Sequence, residues 1–204
     1  EVDRCCVLEL ERTLAKSDDE VPDAPGELAD AVTAIRLATS APVAAGPVLF
    51  ERLDWRPYGI RPVLPIAATA PPGEPDRLDA FRAQLAARLR PLLWEADDDA
   101  KLGDALDRWE LSLFQEEPFR GEQLRHALEA ALGGDDGLWA ASMRAAALLD
   151  ESDAERLRTP SADVVRRILI ALLEHGDRAA LLRELDARLL GRDRPARNLA
   201  HIAS

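Results

Sequence analysis

From Asp76 almost to its end, this chain repeats apolar residues every three or four positions, the spacing that collects side chains on one face of an α-helix. Over residues 76–94 the stripe is Leu78, Phe81, Leu85, Leu89 and Leu92. Over residues 99–117 it is Leu102, Leu106, Trp109, Leu113 and Phe114, and Pro118, which has no N–H and clashes with the preceding turn, ends the helix. Residues 119–132 and 138–149 continue the pattern on either side of Gly133-Gly134-Asp135-Asp136-Gly137, a stop-and-turn signal. Ser161 and Asp163 open a helix that runs through Glu174, and Gly176-Asp177 break it and start the last one, which closes before Gly191. Asp97-Asp98-Asp99 reads as a helix cap rather than a metal cluster, because carboxylates are favoured at the positive N-terminal end of a helix.

Upstream the texture differs. Residues 4–11 pass from an apolar patch into alternation and suit a short strand, and residues 16–26 read as a polar loop. Residues 27–38 predict a helix with Leu28, Ala31, Val32, Ile35 and Leu37 along one side. From Ala41 prolines punctuate a segment holding Val48-Leu49-Phe50 and Val63-Leu64-Pro65-Ile66, so short edge strands and turns are what fit. Trp55 and Tyr58 suit a turn plugging the core more simply than a stacking platform for a ligand. The fold expected is mainly α: a bundle of about six helices over residues 76–204, preceded by a small Pro-rich, β-containing mixed lobe over residues 1–75.

Composition sharpens this picture. With 47% hydrophobic but only 4% aromatic residues, the core is built from Ala, Leu and Val. The net charge of −12 disfavours passive nucleic-acid binding, which depends on clustered cations neutralising phosphates. Residues 151–204 reverse the balance, with 10 basic against 9 acidic residues, so an RNA contact is expected there if anywhere. Lysine supplies only Lys16 and Lys101 of the 26 basic residues, an arginine bias that composition alone ties to no chemistry. Adjacent Cys5 and Cys6 give neither a long-loop disulfide nor a zinc spacing, there is no long apolar run, and the first residues are too acidic for a secretory signal. A cytoplasmic protein without a membrane span is expected. Phosphate-cradling glycine loops and the common metal and nucleophile motifs are missing, so no cofactor or metal is expected.

In Ala105-Leu106-Asp107-Arg108-Trp109-Glu110-Leu111, in the Ala/Leu/Glu-rich residues 118–132, and in Leu138-Trp139 through Met143-Arg144-Ala145-Ala146-Ala147-Leu148-Leu149, the chain resembles the helical domain of HEPN proteins, in particular the ApeA-like abortive-infection group of bacteria, and the likeness covers three helices. It implies a dimeric, metal-independent ribonuclease of bacterial defence, in which an Arg and a His roughly four to six residues apart act on RNA. Histidine exchanges protons near neutral pH and Arg stabilises the developing phosphorane charge.

Where the resemblance places that pair, after Leu149, residues 150–160 hold no histidine. Arg194 and His201 are the preferred pair, because seven positions along a helix return about two turns later to the same face. Arg120 and His126 are the fallback, about a third of a turn apart. Arg197 shares a face with His201 at a shorter spacing, and His175 suits the negative end of its own helix. Surface arginines and half-buried histidines also explain these pairs without chemistry. The second function expected is therefore a catalytically silent helical scaffold or sensor that works through protein contacts, as a homo-oligomer or with another partner.

Overall fold

The computed structural model describes residues 8–11, 23–43, 48–53, 56–62, 77–134 and 136–192. Among them the chain is mainly α, with seven helices: α1 (Ala24–Thr39), α2 (Ala80–Glu95), α3 (Ala100–Leu113), α4 (Phe119–Leu132), α5 (Gly137–Leu149), α6 (Ala162–His175) and α7 (Arg178–Arg192). A short 3₁₀ turn, Arg156–Arg158, lies between α5 and α6.

Local side chains set the helix starts. Asp23, Asp79, Asp99 and Ser161 each accept a hydrogen bond from a backbone N–H in the first turn of the helix that follows, and Asp177 does the same for Ala180 in α7. These contacts satisfy donors that have no partner inside the helix. Asp99 thus caps α3 through Lys101 and Leu102, as the acidic triplet predicts. At the other end, α6 stops where Gly176 turns left-handed at φ 77°, a conformation that costs glycine nothing.

α4 occupies the residues its periodicity predicts, and α5 starts one residue early at Gly137. α3 ends at Leu113 rather than near Glu117. The reason is local: Phe114 N–H bonds back to the Leu111 carbonyl in a tighter turn, and the Ser112 carbonyl is taken by Nε of Arg120 at 3.0 Å. α2 differs as well. Leu78 and Phe81 are 47% and 76% exposed, because the helix begins only at Ala80 and its buried positions begin beyond the first turn, at Ala86, Leu89 and Leu93.

One core runs through the helices, with Trp109, Leu128, Leu132, Ile168, Leu169 and Leu185 among its fully buried side chains. Each such residue contributes about 1.5–3 kcal/mol relative to exposure. α1 lies upstream of residue 75, the boundary expected between lobe and bundle, and its Ala34, Leu37 and Ala38 join the same core. α1 packs chiefly on α2, and α3 chiefly on α4.

Two strands, β1 (Val48–Leu53) and β2 (Arg56–Pro62), pair antiparallel from Val48–Pro62 to Leu53–Arg56, with an irregularity between Glu51 and Arg52. β1 carries the expected Val48-Leu49-Phe50, whereas Val63 to Ile66 lie outside the described residues. Of the strand expected at residues 4–11, only 8–11 are described, and they have no regular secondary structure. Trp55 is also outside the described residues.

Candidate functional site

The preferred pair, Arg194 and His201, lies outside the described residues, as does Arg197. The fallback pair is described, and its two side chains have different partners. Arg120 enters through the first turn of α4 and donates to the Ser112 carbonyl of α3. His126 is half-exposed on the same helix, with Nε2 3.9 Å from Glu122. No hydrogen bond or ion pair joins Arg120 to His126 among the described residues. His175 is the last residue of α6, as its position before Gly176 suggests, and its Nε2 lies 3.7 Å from Glu184 of α7.

The arginines of the bundle share a task that composition did not reveal. Four of them reach from one helix to the carbonyls that end another. Arg166 of α6 donates to Leu37 at the end of α1, and Arg120 of α4 to Ser112 at the end of α3. Arg144 of α5 donates through Nη1 to Leu132 and Gly133 at the end of α4, and Arg178 of α7 to Ala131 in the same turn. The last carbonyls of a helix lack intrahelical partners and carry its negative end, so a guanidinium satisfies both needs. Its fork also allows a second grip on a carboxylate, which an ammonium cannot reproduce. Arg144 grips Asp186 with Nε at 2.7 Å and Nη2 at 3.0 Å, and Nη2 also reaches Asp136. Hydrogen bonds to Asp186 raise the Arg144 pKa above its ordinary value, against an opposing effect of burial. A lone arginine inside the Ala-rich run of α5 was the available signal, since an apolar helix face accepts such a residue only with partners.

A second lock ties α1 to α3. Arg36 and Glu110 are 4% and 2% exposed, and Nη1 of Arg36 lies 2.5 Å from the Glu110 carboxylate. Thr33 donates its hydroxyl to the other carboxylate oxygen, Nε of Arg36 donates to the Val43 carbonyl, and the guanidinium lies over the Phe114 ring at 5.3 Å. Burial pushes the Glu110 carboxyl above its ordinary value of 4.5, and Arg36 and Thr33 draw it back only in part. The signal in the sequence was a pair of opposite charges, each beside apolar core positions of its helix.

A concavity among the described residues lies where the end of α2 and the start of α3 meet the α6–α7 turn. It has a volume of about 430 Å³. Leu92, Leu102, Leu172 and Leu173 give it apolar walls, and the exposed Glu95, Asp98 and Asp177 line it with carboxylates. Arg178 donates to Asp99 at 2.9 Å across it, joining α7 to the cap of α3. Burial raises the Asp99 carboxyl, but the N–H groups of Leu102 and Lys101 and the Arg178 guanidinium together hold it below 3.8.

Among the described residues no three His, Cys, Asp or Glu side chains gather as a metal site, and no helix is long and apolar enough to cross a membrane. No protein-family model, curated protein or solved structure matches the chain.

Proposed function

We propose that this chain is a helical interaction module that works by binding another protein. The observation supporting this is where its scarce aromatic residues sit. Trp109 is fully buried, whereas Phe81, Trp94, Phe119 and Trp139 are 76%, 59%, 64% and 53% exposed. Large rings left more than half exposed on a chain with 4% aromatics suit contact with a partner, since aromatic side chains are enriched at interfaces and among their energetic hot spots. The net charge of −12 favours a basic partner. Arg108, Arg120 and Arg144, three of the four arginines in the stretches that resemble HEPN helices, have structural partners, which fits a module whose charges hold it together.

A second reading is the metal-independent RNA cleavage of a HEPN-like bacterial defence protein acting as a dimer. It rests on the seven-position spacing of Arg194 and His201 and on the resemblance of the helices.

One comparison separates the two. A variant carrying Phe81→Ser, Trp94→Ser, Phe119→Ser and Trp139→Ser keeps its fold, because surface substitutions cost little. A partner rebuilt with the native chain from purified components should bind this variant at least about 30-fold more weakly, as expected for loss of hot-spot rings. Equal binding to both chains rejects the module reading. In parallel, degradation of total RNA in EDTA that is abolished by His201→Ala and Arg194→Ala establishes the nuclease instead.

A further inference from the structure

The cavity between the α2–α3 corner and the α6–α7 turn has a chemistry that selects its occupant. Two helices, α3 and α7, begin there, an arrangement that ordinarily attracts anions. Here those N-termini are already served by the chain's own carboxylates. Asp99 accepts from Lys101 and Leu102, and Asp177 accepts from Ala180. Arg178 is committed to Asp99 and to the Ala131 carbonyl. Among the described residues lining the cavity that leaves Lys101 as the remaining cation against Glu95, Asp98 and Asp177, so an anionic ligand would meet net repulsion. A divalent metal is a poor fit too, because these carboxylates do not converge as ligands.

The apolar walls complete the specification. Leu102, Leu172 and Leu173 are 3%, 1% and 2% exposed and seal the cavity from beneath, so its accessible apolar surface comes from the half-buried Leu92 and Ala96 and the exposed Ala100 and Ala179, beside the exposed Glu95, Asp98 and Asp177. Glu95 and Asp98 make no ion pair among the described residues. Arginine and lysine side chains have the matching shape: an aliphatic stem that lies on apolar surface and a charged head that stays at the polar edge.

We propose that this cavity docks a basic segment of a protein partner, its arginine or lysine stem on Leu92, Ala96 and Ala179 and its cation against Glu95 and Asp98. The inference deepens the interaction-module reading and rests on it, adding a charge-selective contact to the aromatic ones. A volume of about 430 Å³ suits a few side chains rather than a folded domain, so a short extended segment is the occupant.

The test uses the full chain and a fluorescein-labelled hexapeptide of alternating arginine and leucine, with a glutamate–leucine hexapeptide as control. Fluorescence anisotropy should show saturable binding of the first and none of the second. Glu95→Lys with Asp98→Lys should weaken binding at least about tenfold, whereas Glu116→Lys with Glu151→Lys, the same change in net charge elsewhere, should leave it within about twofold. If the lysine pair melts early, Glu95→Gln with Asp98→Asn replaces it, with a smaller loss expected in the same direction. Absence of binding, equal weakening by both lysine pairs, or equal binding of the acidic peptide overturns the proposal. Loss of partner binding in the aromatic variant alongside an unresponsive cavity would overturn this docking site alone and leave the module reading standing.

Discussion

Replacing Trp109 with alanine is expected to remove about 3–5 kcal/mol of stability, a large share of the roughly 5–15 kcal/mol that holds a typical domain together. The indole is fully buried in α3, and its Nε1–H donates to the carbonyl of Ala162 at the start of α6 at 3.0 Å. Its loss opens a cavity among leucines that can only partly collapse, and it removes the bond that joins the two helices. Trp109→Phe keeps much of the volume and gives up the bond, so about 0.5–1.5 kcal/mol of its loss comes from that bond. Trp139→Ala, at an exposed ring of the same kind, should change stability by no more than about 0.5 kcal/mol. Urea titrations of the three variants check the ranking. A Trp109→Ala midpoint indistinguishable from that of Trp139→Ala would mean that α3 and α6 do not share a packed core.

Arg36→Ala is the second large effect, about 3–5 kcal/mol near neutral pH, because it leaves the Glu110 carboxylate buried without its cation. The pH dependence has a definite sign. The folded chain holds the Glu110 proton more tightly than the unfolded chain, whose carboxyl titrates near 4.5. The contribution of this carboxyl to stability therefore becomes less favourable as pH rises from 4.5 through its raised folded value. Removing Arg36 raises that value further, and the nearby Asp107 acts in the same direction. The deficit of Arg36→Ala should accordingly be largest at neutral pH and shrink as the pH is lowered toward 4.5. Thermal melts of both chains across that range read this directly. A deficit that stays constant with pH would show that the variant fails through lost packing alone.

The bundle was legible because helix periodicity and punctuation agreed along the chain. Between residues 119 and 149 the apolar spacing and the glycines at 133, 134 and 137 predict two helices and their turn, and Gly134 and Gly137 do adopt positive φ, at 59° and 74°. The Asp99 cap was equally readable, since its cause lies within three residues of sequence. What could not be read was cross-helix chemistry. Periodicity assigns a face to Arg144 or Arg36 but cannot name the carboxylate or carbonyl that a neighbouring helix will bring to it. The same limit hid the cavity, which draws its walls from residues about 80 positions apart, such as Glu95 and Ala179. Phe81 shows the opposite error: its spacing fits the apolar stripe, yet it stands in the first turn of α2, ahead of the buried positions, and faces water.

The central claim is that α1 and the helices from α2 onward form one cooperative core, tied by internally committed arginines. Native-state hydrogen exchange tests it most directly. The amides of residues 32–38 in α1 should open with the same free energy as those of residues 169–173 in α6, since Leu37 and Leu169 belong to one cluster and Arg166 binds the Leu37 carbonyl. Exchange of the α1 amides orders of magnitude faster than those of α6 would contradict the claim.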